Sequence, residues 1–395
     1  MMSSQERVIR AARQRRQQTL FRRPVVKRYK LMIPGPVDVP DEVLEMMATP
    51  CMPHYGKDWL QIYDETVDYL KRVFRTKNDL FIIPGPGSAT LEAAVSSLLV
   101  EGEKALVLVN GFFGQRLDVI ARACGIQTRL VEVPWGEPIL PEQVQQALDA
   151  DPEIKAVVIV HHETSTGVLS PLEEIVKVTH ARGLPVVVDA ISTIGGIPLP
   201  VDEWEIECCI TVANKCLETP PGLGMVSVSG RAWQIIASKA DKRCGWYLNL
   251  NVWRSYAREW DWHPYPATVP TNIIVALHKS LEQLLEEGLE ARYARYVAAS
   301  QMVRAGLREM GFEFLVPDAY SCPLVTVFKG KPDLPADELA QFLREEHGIL
   351  VAGGIGPLQG KIVRVGHMGK AASESYSQAF LAAVREFVKR KSAQR

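Results

Sequence analysis

Between residues 79 and 228 short β-rich runs alternate with helical stretches, and this alternation restricts the fold more than any other feature of the chain. Leu80 to Ile83 precedes Ser88 to Leu99, Ala105 to Val109 precedes Gly114 to Cys124, and Thr128 to Val133 precedes Pro141 to Leu148. Ala156 to Val160 is followed by Leu172 to Arg182, and further runs stand at Pro185 to Val188, Cys208 to Val212 and Met225 to Val228. Runs this rich in valine and isoleucine suit strands buried on both faces. The expectation is an α/β fold with a mostly parallel, seven-stranded sheet between helices. Ligands of such sheets bind beyond the carboxyl ends of the strands. Gly85-Pro86-Gly87-Ser88, Asn110-Gly-Phe-Phe113-Gly, His161-His-Glu-Thr164, Asp189 and Lys215 all fall just there, so one rim is expected to gather them.

At 395 residues the chain is long enough for two cores, and 47% hydrophobic with 23% charged residues excludes disorder. A large domain is expected over 31–280 and a smaller α+β domain over 281–395. Residues 229–275, with Trp246, Trp253, Trp260 and Trp262 among several prolines, read as an irregular wall or a subunit contact. Residues 1–30 form a basic arm whose ten Arg and Lys residues face only Glu6. Such a segment suits an arm laid on an acidic surface of a partner subunit, or a mitochondrial transit peptide. A net charge of −1 carries no footprint for nucleic acid, and no apolar run is long enough to span a bilayer. Seven scattered cysteines without a C-x-x-C pair suit reduced thiols in the cytosol.

Lys215 lies just past an apolar run, Ile210 to Ala213, and before the Pro220-Pro-Gly turn. Desolvation there lowers an amine's pKa and prepares it for Schiff-base chemistry, although a surface loop lysine is the ordinary alternative. Asp189 closes a valine run, where a carboxylate needs a cationic or N–H partner. Either it caps a helix over Ile191 to Ile194 or it meets a pyridinium nitrogen, which would join it to Lys215. The Gly85–Ser88 turn suits a phosphate at a helix start as well as it suits a plain tight turn. Thr90 stands where a dinucleotide fingerprint needs a third glycine. Phe113 offers a flat face, and His161 and His162 read as hydrogen-bonded loop histidines, with Thr166 where a zinc helix would need its second histidine. Arg364 has the side chain suited to a two-point grip on a carboxylate, with His367 and Gly353 placed at the same mouth.

Together these stretches resemble the class V aminotransferases of fold type I, which are pyridoxal-phosphate enzymes. The likeness is strongest to the alanine-glyoxylate and serine-pyruvate group. It rests on Pro34-Gly-Pro, Leu91-Glu-Ala-Ala, Asn110-Gly-Phe-Phe-Gly-Gln, Glu163-Thr-Ser-Thr-Gly, Val188-Asp-Ala-Ile-Ser, Asn214-Lys-Cys-Leu and Gly360-Lys-Ile-Val-Arg-Val-Gly. The resemblance implies that Lys215 is the Schiff-base lysine and Asp189 the partner of the ring nitrogen. It implies Pro86, Gly87 and Ser88 for the phosphate, Phe113 for ring stacking, Thr164 for a cofactor oxygen, and Asn214 beside the lysine. It puts Tyr265 and Thr268 in the other subunit's phosphate site, hence a homodimer with composite active sites, and Arg364 on the substrate carboxylate. Small amino-acid and 2-oxo-acid substrates follow. Asn214-Lys-Cys-Leu and Val365-Gly-His-Met-Gly are also similar to pyridoxamine-pyruvate aminotransferase, and a non-catalytic cofactor-binding protein of this fold is a third reading.

Overall fold

The computed structural model describes residues 28–239 and 245–393, so all but the last three residues of the expected basic arm lie outside the described residues. The main sheet consists of β1 (Asp79–Pro84), β2 (Lys104–Val109), β3 (Gln127–Glu132), β4 (Ile154–Val160), β5 (Val186–Asp189), β6 (Cys208–Val212) and β7 (Leu223–Val228). Their order is β1-β7-β6-β5-β4-β2-β3. All run parallel except β7, which is antiparallel to both β1 and β6. Parallel neighbours need a long crossover, here supplied by the Gly87–Leu98, Phe112–Ala123, Pro141–Ala150 and Leu172–His180 helices. The single reversal, from β6 to β7, is made by the turn that carries Lys215.

Val186, Val187 and Val188 of β5, Ile210 of β6 and Val226 of β7 are fully buried, as strands covered on both faces must be. Each such side chain contributes about 1.5–3 kcal/mol on leaving water. After β3 the chain returns to the middle of the sheet and β4 pairs with β2, so the crevice between their carboxyl ends is the topological switch point at which ligands of open α/β sheets bind.

A second body holds the antiparallel strands Val325–Lys329, Ile362–Gly366 and Ala352–Gly353 and the Leu289–Glu309, Ala336–His347 and Glu374–Ala393 helices. Its core includes Val303, Leu307, Phe328, Val363 and Phe380. Lys30–Leu31 pairs in parallel with Ile349–Leu350, and Met32 enters this second core. The residues just past 30 therefore pack with the smaller body rather than with the sheet that follows them in sequence. A third cluster, with Ile197, Cys216, Tyr296, Cys322 and Leu324, seals the two bodies together beneath the Lys215 turn. Among the described residues no helix is long and apolar enough to cross a membrane.

The expectation of irregular structure over 229–275 is corrected by two helices, Gly230–Ala237 and Leu250–Glu259. Ser229 Oγ accepts from Ala232 N–H at 3.1 Å and Asn249 Oδ1 from Asn251 N–H at 3.0 Å, so both starts carry N-caps. The bulky rings hid a helical spacing in which Trp233 and Ile236, and Leu250 and Trp253, face inward.

Candidate active site

The turn after β1, Phe113 after β2, His162 and Thr164 after β4, Asp189 ending β5, and Asn214 and Lys215 after β6 line one cavity of about 540 Å³. The rim foreseen from the strand ends is therefore one site. Arg116, Ile191 and Ser192 line it as well.

Lys215 is half-buried, and its Nζ donates to the carbonyl of Pro34. That carbonyl belongs to the Pro34-Gly35-Pro36 stretch, and the lysine lies so close that a Cβ on Gly35 would stand 2.5 Å from both its Cδ and its Nζ. Burial lowers the amine's pKa to about 8, with Arg364 pushing the same way against Cys216 and Asp189. Behind the turn, the buried Arg292 donates to the carbonyls of Gly195 (3.1 Å) and Cys216 (2.7 Å) and pairs with Glu218 and Glu287. Arg292 comes from the Leu289–Glu309 helix of the smaller body and clamps the chain one residue past the lysine.

Asp189 is 6% exposed, and among the described residues its carboxylate accepts a single hydrogen bond, at Oδ1 from Ile191 N–H at 3.0 Å. Residues 191–194 form turns, so the helix-cap alternative for Asp189 does not apply. Burial raises this carboxyl to about 7, and the nearby Glu163 adds to the effect. Glu163 is differently placed. It accepts from the N–H groups of Phe113 (2.9 Å), Gly114 (3.0 Å) and Ser165 (3.0 Å) and from Ser165 Oγ (2.6 Å). Four donors make it a structural tie that fixes the Phe113 loop against the Thr164 loop.

The Gly87–Leu98 helix starts at Pro86 without a side-chain cap, Ala89 N–H already donates to Pro86 O, and the N–H groups of Gly87 and Ser88 and the Ser88 hydroxyl, at the cavity wall, have no partner among the described residues. A Cβ on Gly87 would lie 2.6 Å from Ile191 Cδ1 and 2.8 Å from Val212 Cγ1, which explains the glycine: the helix start sits directly on the ends of β5 and β6.

Arg364 does not line the cavity but stands next to it. Its Nε donates to Gly353 O (2.8 Å) and its Nη1 to Thr164 O (3.1 Å). His367 is not at this mouth: it is fully buried, with Nε2 2.8 Å from Thr326 Oγ1. The ring of Tyr265 is fully buried, and its hydroxyl accepts from Trp59 Nε1 at 2.5 Å and donates to His54 O. Thr268 is exposed and away from the cavity. Sequence reasoning passed over Arg116, the Pro34 carbonyl and Arg292. Arg292 was detectable as a basic residue on the inward stripe of its helix with Tyr296, Ala299 and Val303.

The sequence profile of the aminotransferase class-V family matches residues 41–366, and the chain belongs to that family. It is a pyridoxal-phosphate-dependent transaminase. It is 40% identical to an uncharacterised aminotransferase of Methanocaldococcus jannaschii over 86% of this chain and 87% of that protein. It is 31% identical to pyridoxamine–pyruvate transaminase of Mesorhizobium japonicum over 89% of this chain and 89% of that protein. The structure of alanine–glyoxylate aminotransferase from Nostoc superposes with a TM-score of 0.89 at 29% identity, covering 94% of this chain and 98% of the other.

The residues fit pyridoxal phosphate. A cavity of about 540 Å³ is of cofactor-binding size, an uncapped helix N-terminus awaits an anion, and a buried carboxylate lacks a cation. A lysine with a lowered pKa stands in the same space.

Proposed function

We propose that the chain moves an amino group from a small amino acid, alanine or serine, to a small 2-oxo acid, glyoxylate or pyruvate. The observation that carries this reading is the meeting of the Lys215 amine and the unpaired Asp189 carboxylate in one cavity under a free helix N-terminus. Bound pyridoxal phosphate supplies an aldehyde that condenses with amines and a ring that draws electrons from a substrate's α-carbon. Lys215 holds the aldehyde between turnovers and, displaced by the substrate amine, moves the α-proton. Asp189 keeps the ring nitrogen protonated, and the amine–carboxylate pair is the catalytic core of this reading. Pro86, Gly87 and Ser88 hold the phosphate, Phe113 stacks on the ring, Thr164 meets a cofactor oxygen, and Asn214 flanks the lysine. Arg364 takes the substrate carboxylate with the guanidinium edge left by its two carbonyl bonds.

Substrate size follows from the cavity, which must hold cofactor and substrate together. The alanine–glyoxylate enzyme from Nostoc supports the same choice by its name. A homodimer belongs to this reading, supported by Trp246, Trp260 and Trp262, which are 52%, 40% and 53% exposed, and by the exposed Thr268. In this reading Tyr265 and Thr268 belong to the other subunit's phosphate site.

The test is a spectroscopic panel in which the cofactor-loaded protein meets alanine, serine, aspartate and glutamate one at a time. Conversion of the cofactor to its amine form with alanine or serine is expected. Conversion with aspartate and glutamate alone would overturn the substrate assignment. A second reading, transfer from unphosphorylated pyridoxamine to pyruvate, is favoured by the 31% identity to that enzyme, and pyridoxamine plus pyruvate in the same panel separates the two.

A further inference from the structure

We propose that His162 is a ligand-binding residue whose Nε2 donates a hydrogen bond to the phenolic 3-oxygen of the bound pyridine ring. The inference rests on the pyridoxal-phosphate reading of the cavity and adds to it a contact from a side chain that sequence reasoning left as an ordinary loop histidine.

His162 lines the cavity and is 2% exposed. Its Nδ1 lies 3.0 Å from Ser192 Oγ, a residue that also lines the cavity. Its Nε2 is buried and has no hydrogen-bond partner among the described residues. No other described side chain lining the cavity has a buried nitrogen or oxygen left in that state. Buried polar atoms in folded proteins are nearly always partnered, and one left without a partner in a binding cavity is best explained by a ligand group that completes it.

The direction of the bond follows from the second nitrogen. Ser192 Oγ stands 3.0 Å from Nδ1 and can donate to the carbonyl of His162 over a longer 3.4 Å. We assign the hydroxyl proton to the shorter contact, an assignment that puts the ring proton on Nε2 and makes that atom a donor. The imidazole is neutral over the working range, since burial, with His161 and Lys215 adding to it, holds its pKa near 3. A neutral donor suits an oxygen acceptor that carries partial or full negative charge beside a cation.

Pyridoxal phosphate has four polar groups, and the functional reading gives the aldehyde to Lys215, the ring nitrogen to Asp189, the phosphate to the Gly87–Ser88 helix start and one cofactor oxygen to Thr164. The phenolic oxygen, attached on the arc of the ring between the aldehyde carbon and the ring nitrogen, accepts more than one hydrogen bond and has room for a second donor beside Thr164. Its partner must stand between Lys215 and Asp189. His162 meets that condition: it comes two residues after Val160, which pairs with Asp189 across β4 and β5, and its titration responds to the charge of Lys215. Thr164, two residues further on, supplies a hydroxyl to the same wall.

The test uses apoenzyme prepared by stripping the cofactor with hydroxylamine. Dissociation constants are measured from quenching of tryptophan fluorescence for pyridoxal phosphate and for its 3-deoxy analogue. His162→Phe keeps the ring's bulk and removes both nitrogens, and His162→Gln restores a donor near the position of Nε2. The expected result is that His162→Phe weakens pyridoxal phosphate on the order of tenfold while changing the analogue less than about twofold, with His162→Gln recovering most of the loss. The comparison of two ligands within one variant separates the missing bond from general loosening of the fold. Equal weakening of both ligands, or no weakening of either, would overturn the assignment of His162. Failure of the unaltered protein to bind pyridoxal phosphate at all would instead overturn the functional reading on which it rests.

Discussion

Replacing Asp189 by Asn separates the cost of burying the carboxylate from the benefit it brings. In the cofactor-free protein the group sits 6% exposed with one N–H donor, and burial raises its pKa from 3.8 to about 7. A folded-state pKa above the unfolded one means that the folded state binds the extra proton, so stability falls as pH rises from about 4 to about 7. At about 1.4 kcal/mol per pH unit, the full penalty above pH 7 is about 4 kcal/mol. Asn has nearly the same shape, keeps an oxygen for the Ile191 N–H, and cannot ionise. Urea unfolding of both apoproteins at pH 4.5 and pH 8 reads the difference directly. Asp189→Asn is expected to be only about 1 kcal/mol more stable than the unaltered protein at pH 4.5 and up to about 4 kcal/mol more stable at pH 8. Adding pyridoxal phosphate should reverse the order at pH 8, because only the carboxylate can pair with the ring nitrogen. A stability difference that is the same at both pH values would refute the claim that the carboxylate is held at a cost for the sake of a cationic partner.

Arg292→Met removes the guanidinium that ties Gly195, Cys216, Glu218 and Glu287 together and leaves Glu218 buried without its partner. A loss of about 3–5 kcal/mol in urea unfolding is expected. Arg364→Lys keeps the charge but loses the planar fork, so KM for the amino donor should rise about thirtyfold, from about 2 kcal/mol of charge-assisted bonding, while cofactor affinity is held. Steady-state kinetics beside a cofactor titration check both halves of that statement.

The strand ends were readable because most of the strands are short runs rich in valine, isoleucine and leucine, and six of the seven point their carboxyl ends at the same rim. Placing Lys215, Asp189, Thr164 and Phe113 at those ends was enough to bring them to one cavity. Contacts between distant segments left no such trace. Nothing local says that the Pro34 carbonyl accepts from Lys215 across 181 residues, or that Arg292 reaches the carbonyl of Cys216 across 76. The His162 and Ser192 pair was hidden for the same reason, since each residue is unremarkable in its own loop. The bonds of the Tyr265 hydroxyl to Trp59 and His54 left no trace either, since both partners are far away in sequence.

The central claim is that the Lys215 amine does the chemistry in this cavity, and the most direct test is the half-reaction with alanine or serine carried out on the unaltered protein and on Lys215→Ala. The unaltered protein should convert its bound cofactor to the amine form and be restored by glyoxylate or pyruvate over repeated cycles. Lys215→Ala should hold the cofactor, lose the visible absorbance that depends on the lysine, and give no repeated turnover without an added amine. Full turnover by Lys215→Ala under those conditions would contradict the account.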